Sequence, residues 1–350
     1  MATSFIARHA LHALEMSTGP VVESVELEGF RGIRACEEPV RLSRFTVLIG
    51  RNNAGKTSVL EALALFPFPS LRLGTVEYGL PLLGSWPDVM AVLHGGLQSL
   101  VYGYVGEASI TYMVHGRKIK RALSKSGSIV SWVDEEYTPS EGYISSIASL
   151  LNIGTYDVEK LAFLLPNDSS LLRKIASELS KEDNWSLVEK SGANTAVVRD
   201  LISKAVHDRF TEATVRFNSI VLRKELPDGR VIYVKAADLG DGVERVLIYG
   251  LWLETYRPKL VLWDDIEASA HPGLVEAVLE WLASRDWQVV LSTHSLDVLD
   301  RLVAVEPEGA SVVVLRKGAD DVLRPRVLGL EELREMLESH VDPRKVVDIL

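Results

Sequence analysis

Residues 45–57 read FTVLIGRNNAGKT, an apolar run followed by a glycine-bounded loop that ends in lysine and threonine. The run Phe45–Ile49 is short and continuously apolar, which is typical of a strand buried in a parallel sheet. Residues 57–66 then place apolar side chains on one face of a predicted helix. The loop fits the pattern G-x-x-x-x-G-K-[ST], in which backbone N–H groups and a helix N-terminus surround phosphate groups. The sequence therefore predicts a nucleotide-binding site on an α/β fold.

Two further apolar runs, Leu260–Trp263 and Gln288–Ser292, end in polar residues. Asp264 and Asp265 follow the first run, and His294 follows the second after one threonine. Because parallel strands end at the same edge of a sheet, these side chains are expected in the ligand crevice beside the loop. The sequence thus predicts carboxylates and an imidazole facing the bound phosphates.

The chemistry of phosphoryl transfer suggests a role for each of these side chains. Lys56 would reach the β- and γ-phosphates, the Thr57 hydroxyl would ligate Mg²⁺, and Asp264 would hold Mg²⁺ through water. Asp265 would lie next to the attacking water, and His294 would hydrogen-bond that water or a γ-phosphate oxygen. Simpler alternatives stay open, because two aspartates can cap the following helix and a lone histidine is usually structural.

Composition and charge restrict the class of protein. The 350 residues are 47% hydrophobic and 25% charged, so the chain can bury a large core and does not belong to the disordered class. No apolar run approaches the roughly 18 residues that a membrane helix needs. The single cysteine, Cys36, and the charged residues among the first twenty favour a cytoplasmic protein without a signal peptide. The net charge of −10 argues against a surface that binds nucleic acid all over, although a local basic stripe remains compatible.

The pattern along the chain predicts one α/β core split by an insertion. Residues 97–137 alternate and predict antiparallel strands, residues 145–207 are mostly helical in pattern, and residues 211–234 predict strands with a hairpin turn. Short apolar strands alternate with helices over the last hundred residues, which predicts a parallel sheet. We expect an N-terminal extension at 1–20, a first half of the core at 21–96, a β and helical insertion at 97–235, a second half of the core at 236–327 and a C-terminal helical segment at 328–350.

Five stretches together resemble the ABC-type ATPase heads of the SMC and RecF group, and most closely the OLD-like (overcoming lysogenization defect) AAA ATPases. They are LEGFRGI at 27–33, VLIGRNNAGKT at 47–57, LGDGVERVL at 239–247, WDDIEASAHP at 263–272 and LSTHS at 291–295. The fold that this resemblance implies is an α/β P-loop NTPase, similar to ABC ATPases. It would have a mixed or parallel sheet, an antiparallel β-subdomain and a helical insertion.

The resemblance also implies roles for individual residues and for partners. The residues implied to contact ATP are Gly50, Asn52, Asn53, Ala54, Gly55, Lys56, Thr57 and Ser58 of the phosphate loop, Arg31, and Gly240, Asp241 and Gly242 of a signature loop. It implies Mg²⁺ at Thr57 and Asp264, and catalytic roles for Lys56, Asp265, Glu267 and His294. In such heads the signature loop contacts the nucleotide of the other subunit, so a homodimer closed around ATP is implied. DNA or a separate effector protein is implied as a further partner.

Departures from the family pattern predict slow turnover. Asp265 stands where the family has glutamate, so its side chain is one methylene shorter, and Glu267 also matches the motif and is a second candidate for the same role. Gly240 replaces the signature serine, and Gln98 is the candidate for the glutamine loop of such heads. The insertion contains no long heptad run, so the long coiled coil of SMC proteins is expected to be absent. The sequence given stops where OLD proteins continue into a Toprim nuclease, so we expect no nuclease activity from it.

The densest basic run is HGRKIKR at 115–121. On a strand, Arg117 and Arg121 point to one face and Lys118 and Lys120 to the other. The run either contacts DNA phosphates or forms an edge strand that its lysines protect against aggregation. The negative net charge favours the second interpretation.

These features together predict a Mg-dependent ATPase that acts as an ATP-closed dimer in DNA repair, chromosome maintenance or phage defence. The alternative is a nucleotide-gated binding module that hydrolyses ATP negligibly. A P-loop GTPase is disfavoured because the sequence contains no base-recognition motif of the N-K-x-D type.

Overall fold

The computed structural model describes residues 19–68, 72–73, 76–77, 79–206 and 208–348. Of the predicted N-terminal extension, residues 1–18 lie outside the described residues. The last two residues of the predicted C-terminal segment lie outside them as well.

Strands account for much of the described chain. They are β1 (Ser24–Phe30), β2 (Ile33–Cys36), β3 (Val40–Arg41), β4 (Phe45–Ile49), β5 (Arg72–Leu73), β6 (Val76–Glu77), β7 (Gly79–Leu80), β8 (Gly84–Ser85), β9 (Glu107–Val114), β10 (Arg117–Ser124), β11 (Ile129–Val133), β12 (Glu136–Thr138), β13 (Ala162–Leu165), β14 (Phe210–Arg216), β15 (Ser219–Glu225), β16 (Val231–Lys235), β17 (Leu260–Trp263), β18 (Gln288–Ser292), β19 (Ala310–Lys317) and β20 (Val322–Gly329).

Helices connect and cover these strands. They are α1 (Lys56–Ala64), α2 (Trp86–His94), α3 (Ser140–Leu151), α4 (Ser169–Leu179), α5 (Glu182–Ser191), α6 (Ala193–Val197), α7 (Ser203–Ala205), α8 (Asp241–Tyr256), α9 (Pro272–Ala283), α10 (Leu296–Val305) and α11 (Leu330–Glu338). A π-helical turn spans Val198–Ile202, and 3₁₀ turns span Leu97–Leu100, Tyr102–Tyr104, Thr155–Lys160, Ala236–Asp238 and Pro343–Asp348.

One mixed sheet organises the described residues. Its strand order is β12-β11-β10-β9-β1-β2-β20-β19-β4-β18-β17-β13, with β3 paired to β1. The run from β19 to β13 is parallel throughout, and β9 to β12 continue the sheet as antiparallel strands. Parallel strands buried on both faces need continuous apolar residues, and all five residues of β4 and of β18 are buried. The predicted α/β fold with a mixed or parallel sheet is confirmed.

Two further segments that were predicted to form antiparallel strands do contain them, although with other bounds. The antiparallel strands predicted within 97–137 run from β9 to β12, although the first residues of that range form 3₁₀ turns instead. The predicted hairpin at 211–234 belongs to a separate antiparallel sheet in the order β14-β15-β16.

Two strands of the central sheet were missed, and both change its topology. Residues 145–207 are not simply helical, because β13 lies within them and pairs in parallel with β17. All four residues of β13 are buried, and periodicity cannot distinguish so short an apolar run from a buried helical segment. The last hundred residues also contain β20, which pairs antiparallel with β19. Residues within 97–235 therefore extend the central sheet at both of its ends.

The prediction that the basic run forms an edge strand is wrong. The strand β10 pairs with β9 on one side and with β11 on the other. As predicted, the side chains of Lys118 and Lys120 point to one face of the strand, where they are exposed. Arg121 points to the opposite face and is 2% exposed. Because this arginine is buried, it is removed from any DNA-contacting surface.

Arg121 satisfies the carbonyl groups that follow the phosphate-loop helix. Its Nη1 donates to the carbonyl oxygens of Leu65 and Phe66, the latter at 3.0 Å, and its Nη2 donates to that of Phe68. Its guanidinium carbon lies 4.6 Å from the centroid of the Tyr143 ring. A cation at the C-terminal end of a helix also interacts favourably with the helix dipole.

Replacing Arg121 with leucine is expected to lower the free energy of unfolding by about 3 kcal/mol, since it leaves buried carbonyl groups without donors. The matched control is Arg117→Leu on the same strand, where the arginine is exposed and pairs with Asp134. That control is expected to change stability by less than about 1 kcal/mol. Urea denaturation followed by circular dichroism measures both, and equal small changes would contradict the prediction.

Candidate functional site

The phosphate loop connects β4 to α1 and encloses the lysine. Gly50 has a φ of 149°, and a Cβ there would lie 2.3 Å from the carbonyl oxygen of Leu315, so only glycine fits. Lys56 is 8% exposed, and its Nζ donates to the carbonyl oxygen of Gly50 at 3.1 Å. Asn53 adopts a left-handed conformation with a φ of 64°, and Gly55 follows with a φ of 100°. The loop therefore curls around the ammonium group in front of the N-terminus of α1.

The remaining predicted loop residues divide between surface and interior. Asn52 and Asn53 are exposed, Gly55 and Thr57 are half-buried, and Ala54 and Ser58 are buried. The side chains available to a ligand from solvent are therefore those at the outer turn of the loop and Thr57.

Asp264 and Thr57 form a compact oxygen site at the ends of β17 and the loop. Thr57 Oγ1 donates to Asp264 Oδ2 at 2.9 Å, and Ser292 Oγ donates to Asp264 Oδ1 at 2.5 Å. Asp264 is 8% exposed, and burial raises the pKa of its carboxyl group while the hydrogen bonds from Ser292 and Thr57 act in the opposite direction.

This oxygen pair fits Mg²⁺. Hard oxygen donors are the ligands that Mg²⁺ prefers, and two adjacent ligands at about 2.1 Å from the ion lie about 2.9 Å apart. The observed separation of Thr57 Oγ1 and Asp264 Oδ2 is 2.9 Å. A divalent cation would also offset the burial of the Asp264 carboxylate.

Asp265, Glu267 and His294 converge beside this pair. His294 Nδ1 lies 3.0 Å from Glu267 Oε1 and 3.4 Å from Asp265 Oδ1. The backbone N–H of His294 also donates to Glu267 Oε1 at 2.8 Å. His294 is the most exposed of the three, with 56% of its side chain accessible. The structure thus brings together the two carboxylates and the histidine that the sequence placed on separate strand ends.

Two residues that were missed from the sequence position Asp265. Asn167, just after β13, places its Nδ2 3.4 Å from Asp265 Oδ2. Arg245 of α8 donates from Nη1 to Asn167 Oδ1 at 2.6 Å and is 6% exposed. Ser292 joins them, because its Oγ accepts from the backbone N–H of Asp265 at 2.8 Å. The only available signal for Asn167 was a polar residue at the end of the apolar run of β13.

Gln98 does not join this site. Its side-chain Nε2 donates to the carbonyl oxygen of Gly95 at 3.1 Å in an exposed 3₁₀ turn. The amide that faces the carboxylates is that of Asn167 instead.

Arg31 forms a cluster with Glu61 and His94, in which Glu61 is buried and the other two side chains are half-buried. Its Nη1 pairs with Glu61 of α1, which is 1% exposed, and lies 2.8 Å from His94 Nε2. His94 Nε2 lies 2.6 Å from Glu61 Oε1. The cluster ties the turn between β1 and β2 to α1, one helical turn beyond Thr57. An open cavity of about 490 Å³ borders Arg31 and His94.

The predicted signature loop caps α8. Gly240 has a φ of 90° and is the residue before the helix, and Asp241 is exposed at its first position. A Cβ on Gly242 would lie 2.2 Å from the carbonyl oxygen of Ser269, so the backbone of α8 packs directly on the backbone of the loop that follows Glu267. The predicted signature loop is therefore in contact with the segment that carries the candidate carboxylates Asp265 and Glu267.

Comparison with known proteins agrees with this site. Residues 21–72 match the family described as AAA ATPase domain, and residues 138–300 match the family described as AAA domain, putative AbiEii toxin, Type IV TA system. An uncharacterized protein of Methanocaldococcus jannaschii is 44% identical over 46 residues, which are 13% of this chain and 20% of that protein. The chain thus spans about a fifth of the length of that curated relative.

Two solved structures share the fold. One is the Smc head domain of Pyrococcus furiosus with an extended coiled coil, bound to the C-terminal domain of ScpA, with a TM-score of 0.56 and 12% identity over 92% of this chain and 99% of that one. The other is an SmcHead bound to the C-winged helix domain of ScpA, with a TM-score of 0.60 and 14% identity over 90% of this chain and all of that one.

The fold is that of an ABC-type ATPase head of the SMC group, as the motifs predicted. Two segments of the chain carry AAA-type ATPase sequence patterns. The narrower likeness to OLD-like proteins stays a prediction. Among the described helices, each is too short or too polar to cross a lipid bilayer.

Proposed function

We propose that this protein binds ATP with Mg²⁺ and hydrolyses it, working as a homodimer that ATP closes. The observation that supports this most is the meeting of three strand ends. The loop after β4, the aspartates after β17 and the histidine after β18 come from adjacent parallel strands and converge on one edge of the sheet.

The residues divide the chemistry between them. Lys56 and the backbone N–H groups of the loop hold the β- and γ-phosphates and stabilise the charge that develops on the transferring group. Thr57 and Asp264 would hold Mg²⁺, which would neutralise phosphate oxygens when bound. Asp265 orients a water for in-line attack on the γ-phosphorus and accepts its proton.

Attack forms a bond from the water oxygen to the γ-phosphorus and breaks the bond to the bridging oxygen, giving ADP and phosphate. Glu267 contacts both the backbone N–H and the ring of His294. The 56% exposure of His294 beside Asp265 supports its proposed role as the residue that senses the γ-phosphate.

Dimerisation is proposed from the exposed N-terminus of α8. In the proposed dimer, Gly240, Asp241 and the first N–H groups of α8 contact the nucleotide of the partner subunit, since a helix N-terminus attracts phosphate. Gly242 would transmit that contact to the loop after Glu267 through its packing on Ser269.

A second candidate function is a nucleotide-gated binding module with negligible hydrolysis. It is favoured by the two long contacts of Asp265, both at 3.4 Å, and by the absence of a hydroxyl group at Gly240. For either function we propose a cytoplasmic location and a separate effector protein or DNA as partner. Support for a partner comes from the similar proteins, because both SMC head domains are bound to ScpA and one matching family is described as a putative AbiEii toxin of a type IV TA system.

Phosphate release from Mg-ATP should show a specific activity that rises with protein concentration. A composite site that needs two subunits gains active fraction as the dimer forms, so the rate per subunit climbs and then saturates. The measurement is a phosphate-release assay across protein concentrations, with sedimentation in the presence of ATP as an independent readout. Tight ATP binding without release would support the binding module, and a rate per subunit independent of concentration would contradict the dimer.

A further inference from the structure

The C-terminal segment contacts His294, the residue proposed to sense the γ-phosphate. In the 3₁₀ turn Pro343–Asp348, Arg344 donates from Nη1 to the backbone carbonyl oxygen of His294 at 2.6 Å. These residues are 50 positions apart in the sequence, so the contact joins the last described segment to the end of β18.

The guanidinium of Arg344 is held in a fixed orientation by Asp342. Nε donates to Asp342 Oδ1 and Nη2 donates to Oδ2, both at 2.8 Å, and the backbone N–H of Arg344 donates to Oδ1 at 3.0 Å. A bidentate pair of this kind fixes direction as well as distance. The third donor, Nη1, is therefore aimed at His294 rather than free to sample solvent.

His294 lies at a junction where neither strand nor helix fixes its peptide group. The backbone N–H of Thr293 still pairs with the carbonyl oxygen of Leu48 in the sheet, and Ser295 already caps α10. Between them, the N–H of His294 is held by Glu267 and its carbonyl oxygen by Arg344. Glu267 and Arg344 thus hold the two peptide groups on either side of the His294 Cα atom, and with them the direction in which the imidazole leaves the backbone.

We infer that Arg344 is a positioning residue for His294. Through this contact the C-terminal segment sets how efficiently His294 acts on the γ-phosphate. This inference rests on the proposed ATPase function. The side-chain hydrogen bonds of Arg344 go to Asp342 and to the backbone of His294. Its effect on the reaction runs through the orientation of His294, since small displacements of a group that acts on the transition state cost rate. Because coupling is reciprocal, a shift of His294 toward the γ-phosphate would also loosen the C-terminal segment.

Arg344→Ala is expected to lower kcat about tenfold while KM for ATP stays within about twofold, the pattern of a lost transition-state interaction. The matched control is Arg334→Ala on α11, an arginine of the same C-terminal region that pairs with Glu331 and Glu306. The control is expected to match the wild type in kcat and in melting temperature. An unchanged kcat for Arg344→Ala would overturn the inference.

A double-mutant cycle separates positioning from general stability. If Arg344 acts through His294, Arg344→Ala adds no further loss in a His294→Ala background. A loss of the same size in both backgrounds would overturn the inference. Asp342→Asn supplies a second variant that loosens the arginine without removing it, and a smaller fall in kcat is expected there.

Hydrogen exchange in nucleotide-free protein tests the contact without hydrolysis. The amides of His294 and Ser295 are expected to exchange faster in Arg344→Ala than in the wild type, and unchanged exchange would overturn the inference. If the wild type released no phosphate at all, the proposed function would fail, and the exchange result would still decide the role of Arg344.

Discussion

Lys56→Ala is expected to reduce phosphate release from Mg-ATP by at least about a hundredfold. The ammonium group of Lys56 is almost fully buried inside the phosphate loop, where its Nζ lies 3.1 Å from the carbonyl oxygen of Gly50. A charge placed there is fixed before the reaction begins, so it stabilises the developing negative charge of the transferring phosphoryl group without reorganisation. A coupled phosphate-release assay measures the loss, and calorimetry with ATP measures any change in affinity.

The matched control for this prediction is Lys259→Ala. Lys259 is exposed and precedes β17, so it lies at the amino end of a parallel strand whose carboxyl end carries Asp264. Its replacement is expected to leave the rate within about twofold of the wild type, because surface charges far from the site are screened. Retention of a tenth or more of the wild-type rate by Lys56→Ala would contradict the assignment of the loop lysine.

The part of the fold that the motifs belong to could be predicted from the sequence. Each of β4, β17 and β18 is an apolar run followed at once by polar residues, and that junction carries both structural and chemical information. The strand β13 has the same character, since Asn167 follows its buried run Ala162–Leu165 after a proline. It was missed because it is four residues long and is surrounded by helices, so periodicity gave no basis for separating it from them.

Long-range partners account for the features of the site that the sequence did not reveal. Arg31 was expected near the nucleotide, but its side chain pairs with Glu61 and His94, which are 30 and 63 positions away. Ser292 was read only as the end of a strand, although its hydroxyl group contacts both Asp264 and Asp265. The contacts of Arg31 depend on how α1 and α2 pack beside the sheet, and those of Ser292 depend on β17 and β18 being neighbours in it. No local pattern in the sequence encodes either arrangement.

The structure gives Asp265 and Glu267 different environments. Glu267 is 15% exposed. Its Oε1 accepts from the backbone N–H of His294 and lies 3.0 Å from Nδ1 of the His294 ring. The side chain of Asp265 is 29% exposed and makes long contacts, both at 3.4 Å, with His294 and Asn167. Its φ of 47° lies in the left-handed region, which aspartate tolerates better than most residues and which is common at functional sites. Glu267 Oε1 is therefore occupied by His294, and its Oε2 is buried without a hydrogen-bond partner among the described residues. Asp265 is the more exposed carboxylate and is the better candidate to contact the attacking water.

Asp265→Asn is accordingly expected to lower kcat by about a hundredfold or more, whereas Glu267→Gln should lower it about tenfold. The glutamine retains an oxygen that accepts from the N–H of His294, but asparagine cannot accept the proton of the water.

Asp265→Glu is expected to raise kcat a few-fold, since the longer side chain reaches further toward the water, at some cost in stability from the left-handed backbone. Single-turnover hydrolysis by the three variants, each with its ATP affinity measured, distinguishes these effects. A larger loss in Glu267→Gln than in Asp265→Asn would exchange the two roles, and an unchanged rate in Asp265→Glu would show that reach does not limit turnover. The order of the three rates thus identifies the carboxylate that accepts the proton, because one variant removes a base, one keeps a hydrogen-bond acceptor and one lengthens the side chain.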